Sequence, residues 1–118
     1  MKRGEIWTVA GGAAYTGKPR PAIIVQDDRF DANDSIIVCP LTTDPTPAPT
    51  FRLPVQPTAE NGLRGSCLLM IDKLTAVPRA RLGRRIGVLT REEMKALNRA
   101  MFVFLGLAET ATSTGQPF

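Results

Sequence analysis

The chain has 118 residues, of which 43% are hydrophobic and 22% charged, and it carries a net charge of +4. This size and composition predict one globular domain, and no apolar run approaches the roughly 20 residues that span a bilayer. The chain contains no histidine, which excludes Ser-His-Asp catalysis and zinc hydrolysis, so neither a metal nor a cofactor is expected. The N-terminus lacks the apolar core of a secretory signal, which favours the cytoplasm. The excess of basic residues favours a polyanionic partner, although charge alone is a weak indication.

The first half of the chain has the pattern of short strands separated by turns. Residues 4–10 alternate in polarity and end at a Gly-Gly pair, while residues 21–26 and 35–42 are runs rich in Ile and Val. Such runs are typical of strands buried on both faces. Residues 27–35 are dense in Asp, Asn and Ser, which predicts an exposed connection.

The middle of the chain is rich in proline. Five prolines fall within residues 43–61, so any strand there, expected at 51–55, must lie at a sheet edge. Further strands are predicted at 66–71 and 74–77, interrupted at Asp72-Lys73, and a short last strand at 85–89. Cys39 and Cys67 lie in apolar runs, where thiols pack as small hydrophobic groups.

The C-terminal element is predicted to be a helix that packs on the sheet. Thr90 and Glu93 have the spacing of a capping box, and Gly106 supplies a left-handed stop. The apolar residues that recur at helical spacing are Met94, Leu97, Met101 and Leu105. Phe102 and Val103 fall outside this stripe, which indicates either a dimer contact or deep burial within the domain.

Several short strands followed by one helix indicate an α+β, mainly β domain, and the expected architecture is a small twisted barrel with an appended helix. The domain is expected to occupy residues 1–108. Residues 109–118 are polar and are expected to form a flexible tail.

Arg20 is the strongest candidate for chemistry on the residues alone. It stands between Pro19 and Pro21, which restrict the backbone around it and so limit where its guanidinium can point. A pre-positioned guanidinium suits a phosphate, because its planar fork donates two parallel hydrogen bonds. A plain solvated turn cation is the alternative interpretation.

The other polar candidates near strand ends are Asp27, Asp28, Thr42, Thr43, Ser66, Asp72 and Lys73. A basic strip is formed by Arg79, Arg81, Arg84 and Arg85.

Five segments together resemble the MazF/PemK (Kid) family of toxin ribonucleases. In order, they are MKRGEIWTV, GKPRPAIIVQDD, VCPLTT, NGLRGSCLLMIDKLTAVPRARL and the final helix with its LGL end. The resemblance implies a PemK/CcdB-like, SH3-like β-barrel of mostly antiparallel strands with a C-terminal α-helix. It also implies a homodimer with an RNA groove at the subunit interface.

The resemblance implies an activity as well: the toxin component of a type II toxin–antitoxin system, cutting single-stranded RNA at short sequences without a metal. Such cleavage of mRNA stops translation and growth, and an antitoxin with an acidic, flexible tail neutralises it. The family's R-P arginine corresponds to Arg20 and its strand-end threonine to Thr42, the two residues at the scissile phosphate. The expected products carry a 2′,3′-cyclic phosphate and a 5′-hydroxyl.

The chain departs from the Kid-type branch at two places. Met70 stands where those members have the arginine of an R-x-D pattern, and a histidine of the first loop is missing. Asp72 is retained, and whether it is a base or an RNA-recognition group is open. The remaining candidates for catalytic support or RNA contact are Lys18, Tyr15, Thr43, Ser66, Arg79 and Arg81. Tyr15 either stacks on a splayed base or packs against its own loop.

Two alternative functions remain open from the sequence. One is a non-catalytic gyrase poison resembling CcdB on the same fold. The other is an RNA-binding barrel that has lost catalysis, which the missing arginine and histidine favour.

Overall fold

The structure is a computed structural model that describes residues 1–11, 18–45 and 51–108. Its strands are β1 (Glu5–Val9), β2 (Arg20–Ile24), β3 (Ser35–Thr42), β4 (Arg52–Val55), β5 (Cys67–Met70), β6 (Thr75–Pro78) and β7 (Leu82–Val88), and its helix is α1 (Arg91–Phe104). Short 3-10 turns occupy Asp28–Phe30, Ile71–Lys73 and Arg79–Arg81. We call the second of these the 71–73 turn.

The strands form one sheet in the order β4-β5-β3-β2-β1-β7, and β6 also pairs with β3. All the pairings are antiparallel. One edge of β3 pairs with β2, while its other edge pairs first with β6 and then with β5. The 71–73 turn therefore lies beside β3 at the point where its partner strand changes. The mainly β fold with a C-terminal helix, predicted from the sequence, is confirmed.

One face of the sheet is covered by α1, and we call it the helix-covered face. Ile6, Ile23 and Cys39 are completely buried there, in one cluster with Leu97 and Met101 of the helix. Leu97 is itself 0% exposed, so it is the main contact through which the helix stabilises the sheet.

The opposite side of β2 and β3 holds a second, smaller cluster, and we call it the open face. Because side chains alternate along a strand, Ala22 and Val38 point to this side while their neighbours Ile23 and Cys39 point to the helix. Ala22, Ile24, Ile36, Val38 and Val77 form the buried cluster, and Met1, Trp7, Val9 and Leu82 pack against it.

The start of α1 agrees with the sequence prediction. The Thr90 hydroxyl accepts a hydrogen bond from the Glu93 amide at 3.1 Å, and the Glu93 carboxylate accepts one from the Thr90 amide at 2.8 Å. Both halves of the capping box are therefore present. Gly106 has a φ of +77°, which confirms the left-handed stop.

The end of α1 corrects the predicted stripe. Leu105 is 57% exposed, because it follows the last helical residue and extends beyond the sheet surface that Leu97 and Met101 cover. Phe102 and Val103 are 51% and 60% exposed. Deep burial of these two residues, one of the two interpretations, is therefore wrong.

The last strand begins three residues earlier than predicted, at Leu82 instead of residue 85. Gly83 is a weak strand former, but the Arg84 amide donates to the Thr8 hydroxyl at 3.0 Å, which ties this part of β7 to β1. The prolines of the middle region fit the predicted edge position, because β4 is the outermost strand at the other end of the sheet.

Both cysteines are buried, as their apolar surroundings predict. Burial raises the pKa of the Cys39 thiol to about 12. No helix in the described ranges is long and apolar enough to cross a membrane. The predicted tail, residues 109–118, lies outside the described residues.

Candidate functional site

A cleft of about 370 Å³ opens on the open face. It is bounded by the end of β1, the start of β2, the second half of β3, the 71–73 turn and β6. The apolar residues that line it on this face include Val9, Ala22, Val38, Pro40 and Val77. Several of these residues also belong to the buried cluster of the open face, so the cleft lies directly next to that cluster.

Every charged side chain among the described residues that line the cleft is a cation. These are Lys18, Arg20, Lys73 and Arg81. Cations gathered around a low-dielectric surface focus the field and attract anions. Apolar surface next to such cations suits a ligand that carries both phosphates and unstacked bases.

Arg20 is the first residue of β2 and is exposed to solvent. It pairs with Val9 of β1, and Pro21 follows it at the mouth of the cleft. Since a proline fixes its own φ and restricts the residue before it, the start of β2 gives Arg20 a defined backbone direction.

Thr42 ends β3 on the strand next to Arg20. β2 and β3 pair Ala22 with Pro40 and Ile24 with Val38, and continuing this register by two residues sets Arg20 across from Thr42. Directly opposed residues point to the same face. The Thr42 hydroxyl oxygen accepts from the Asp44 amide at 3.1 Å, so its hydrogen remains available to donate to a ligand. Thr42 is not itself among the residues that line the cleft.

Asp72 forms an ion pair with Arg52 of β4. The Nε and Nη2 atoms of Arg52 donate to the two carboxylate oxygens, each at 3.3 Å. The hydrogen bond from Arg52 lowers the pKa of Asp72 below its ordinary value, against a smaller opposing effect of burial. Asp72 is not part of the cleft lining, although its neighbours Met70 and Lys73 are.

Three other candidates from the sequence contact the protein itself. Ser66 donates its hydroxyl to the side chain of Gln56 at 2.6 Å. The Nε atom of Arg79 donates to the Asn33 carbonyl at 3.0 Å, so this arginine fastens the turn before β3. Thr43 is exposed and, like Ser66 and Arg79, does not line the cleft.

The structure therefore brings Lys18, Arg20 and Arg81 together in one cleft. Tyr15 lies outside the described residues. Arg52 was missed by sequence reasoning, because its partner Asp72 is 20 positions away and only the pairing of β4 with β5 brings them together. Lys73 is one of the polar candidates in the sequence, but its neighbours along the chain do not indicate a ligand site.

No group of three His, Cys, Asp or Glu side chains within the described ranges is placed to hold a metal ion. The side chains of the cleft are instead suited to hydrogen bonding with an anion and to packing against a planar group.

A family model described as "PemK-like, MazF-like toxin of type II toxin-antitoxin system" matches residues 2–105. A protein of Mycolicibacterium smegmatis named "Probable endoribonuclease MazF" is 52% identical over 108 residues, which are 92% of this chain and 99% of that protein.

Solved structures give the same picture of the fold. A mycobacterial endoribonuclease in complex with its cognate antitoxin aligns with a TM-score of 0.74 at 21% identity, covering 91% of this chain and 96% of that one. The toxin MazF-mt6 of Mycobacterium tuberculosis aligns with a TM-score of 0.69 at 26% identity, covering 85% and 95% of the two chains.

Proposed function

The chain belongs to the PemK-like, MazF-like toxins of type II toxin–antitoxin systems, and from that premise we propose that it is a metal-independent endoribonuclease that cleaves single-stranded RNA. Single-stranded mRNA is the proposed substrate, read at a short sequence. The cytoplasm, where mRNA is translated, is the proposed place of action, and arrest of translation and growth is the proposed result.

One observation carries this proposal: Arg20 lines a cleft whose charged side chains, among the described residues, are all cationic. A scissile phosphate bound there would meet the guanidinium of Arg20 together with the other cations of the described lining. The partly exposed side chain of Pro40, which lines the cleft, offers an apolar contact for a base. A gyrase-directed toxin would have no use for such a phosphate site.

In the proposed reaction the ribose 2′-oxygen attacks the adjacent phosphorus, and the bond from phosphorus to the 5′-oxygen breaks. The 2′-hydroxyl loses a proton to a base, and the departing 5′-oxygen gains one. Negative charge grows on the phosphate oxygens in the transition state, where Arg20 stabilises it and Thr42 donates a hydrogen bond. The products carry a 2′,3′-cyclic phosphate and a 5′-hydroxyl.

Asp72 fits the role of general base poorly. Arg52 lowers its pKa, whereas an effective base at neutral pH needs a pKa near 7. We therefore propose that Asp72 supports the cleft wall. The general base is then water or a group of the RNA.

The proposal is tested by incubating the purified protein with single-stranded RNA in EDTA and mapping the product ends. We expect cleavage at a short recurring sequence, with products that resist 3′-end ligation until the cyclic phosphate is removed. Cleavage that requires a divalent ion would contradict the proposed chemistry. Binding without cleavage would favour the RNA-binding barrel instead. The absence of both binding and cleavage would exclude RNA as the substrate.

The proposed protein partner is an antitoxin with an acidic, flexible segment. The cations of the cleft favour such a segment. A synthetic acidic peptide from the antitoxin encoded beside this protein should compete with RNA, and its effect should weaken as salt rises. Competition that is independent of salt would contradict binding in the cleft.

We also propose that the protein is a homodimer. Phe102, Leu105 and Leu107 are each more than half exposed, and they line a groove of about 430 Å³ between α1 and β3. A contiguous apolar surface of this kind is typical of a protein interface. Light scattering should give twice the mass of the chain, and Phe102→Glu should give a monomer. If the wild-type protein is a monomer at micromolar concentration, the proposed dimer is wrong. The groove would then be a binding surface for the antitoxin.

A further inference from the structure

Lys73 enters the cleft from the side opposite to the other cations. β3 lies between β2, which begins with Arg20, and the connection from β5 to β6, which contains Lys73. Lys18 and Arg20 come from the β2 side. Arg81 is on that side too, since its carbonyl accepts from the Ala10 amide at 2.9 Å next to the end of β1. Lys73 is thus the one cation on the far wall among the described residues of the cleft.

The turn that carries Lys73 is held firmly by its neighbours. Ile71 is completely buried, and its amide donates to the Phe51 carbonyl at 2.9 Å. Asp72 is bound by both donors of Arg52, and the side chains of this pair are only 30% and 15% exposed. A lysine at the end of such a turn starts from a fixed backbone position, which reduces the entropy lost when it binds.

The position of Arg52 explains how the turn is braced. Arg52 stands directly opposite Met70 in the pairing of β4 with β5, and Met70 itself lines the cleft. The guanidinium therefore reaches from the outer strand to Asp72, the residue next to Lys73. Its ion pair with Asp72 keeps the cleft residues Met70 and Lys73 on the same wall.

We propose that Lys73 binds an RNA phosphate next to the one held by Arg20, and that the Arg52–Asp72 pair positions it. This inference rests on the proposed function. Lys73 adds affinity without taking part in bond breaking, and Arg52 acts only through Lys73. With cations on both walls, a single strand lying along the apolar floor is held at successive phosphates from opposite sides.

The test compares Lys73→Gln with Lys95→Gln, which removes the same charge from an exposed position of α1. The probe is single-stranded RNA of the cleaved sequence with 2′-O-methyl ribose, which lacks the attacking hydroxyl. Binding is followed by fluorescence anisotropy between about 50 and about 300 mM salt. We expect Lys73→Gln to weaken binding about tenfold at the lowest salt and to make the slope of log K against log salt shallower by about 0.7.

Lys95→Gln should bind like the wild type, and Lys73→Arg should restore most of the affinity. On cleavable RNA, Lys73→Gln should raise KM with little change in kcat. A double variant, Lys73→Gln with Arg52→Ala, should bind no more weakly than Lys73→Gln alone, because both changes remove the same contact.

Equal slopes for Lys73→Gln, Lys95→Gln and the wild type would overturn the inference while leaving the proposed function intact, provided the wild type cleaves RNA. A fall in kcat with KM unchanged would also overturn it, since Lys73 would then act in the chemical step. Additive losses in the double variant would overturn the positioning role of Arg52. A wild-type protein that binds no RNA would reject both the inference and the function on which it rests.

Discussion

The two faces of the eight-residue strand β3 have different surroundings. On the helix-covered face, Cys39 and Leu41 are 0% and 2% exposed and pack in one cluster with Leu97 of α1. On the open face, Val38 is buried but Pro40 and Thr42 are only half-buried beside the cleft. One strand thus anchors the core on one face and lines the cleft on the other. Substitutions should therefore separate stability from activity according to the face that they change.

The largest expected effect is on the open face, at Arg20. Arg20→Ala should lower RNA cleavage by about 100-fold to 1000-fold, because a donor to the developing charge is lost. The free energy of unfolding should change little, since Arg20 is exposed. Cleavage rates and urea unfolding measure the two quantities. Arg29→Ala is the matched control, because the Arg29 side chain is 80% exposed and pairs with Asp27. Full activity of Arg20→Ala would show that Arg20 is not part of the site.

The opposite result is expected on the helix-covered face. Leu97→Ala should lower the free energy of unfolding by about 3 kcal/mol, because it leaves a cavity under α1. The cleavage rate of the folded molecules should stay near the wild-type value. Lys95→Ala, on the exposed side of the same helix, should leave stability nearly unchanged. A selective loss of activity without loss of stability in Leu97→Ala would break the separation of the two faces.

A smaller effect on activity is expected at Thr42. Thr42→Val removes the hydroxyl that we propose donates to the phosphate while keeping the shape of the side chain, and cleavage should fall about tenfold. Thr42→Ser should retain most of the rate. If the serine variant loses as much activity as the valine variant, the hydroxyl is not the functional group, and the contribution of Thr42 is packing.

The smallest effect concerns acid stability at the 71–73 turn. The hydrogen bond from Arg52 lowers the pKa of Asp72 below 3.8, so the pair stabilises the fold at neutral pH and this contribution is lost as pH falls through the lowered pKa. Asp72→Asn should be slightly less stable than the wild type at neutral pH, and the difference should shrink below about pH 4. Unfolding curves at several pH values measure it. A difference that stays constant with pH would show that the pair adds no pH-dependent stability.

Much of the fold was predictable from the sequence because its strands and helix have clear local patterns. The runs of Ile and Val gave β2 and β3 to within a few residues, and the Thr90–Glu93 spacing gave the start of α1. Leu105 was misplaced because helical spacing says nothing about where the sheet beneath a helix ends. The early start of β7 was missed because pairing with β1 overrides the weak strand preference of Gly83.

The candidate site was only partly predictable. Arg20 was identifiable from the prolines beside it, and the structure places it in the cleft. The contact between Arg52 and Asp72 depends on strand register, which a single sequence does not reveal. Among the described residues, the position of Lys73 on a separate wall from the other cations is likewise a property of strand order, since its neighbours in sequence give no indication of which cations it faces.

The two outermost strands, β4 and β7, are the edges at which a strand of another chain could pair with the sheet. Pro54 removes an amide donor from β4. On β7 the Val88 amide is already bound to the Glu60 carbonyl at 3.0 Å, and Arg84 and Arg85 place charge near the other end. Both edges thus resist the addition of another strand. Edge-to-edge pairing between copies of this protein is therefore disfavoured at both ends of the sheet.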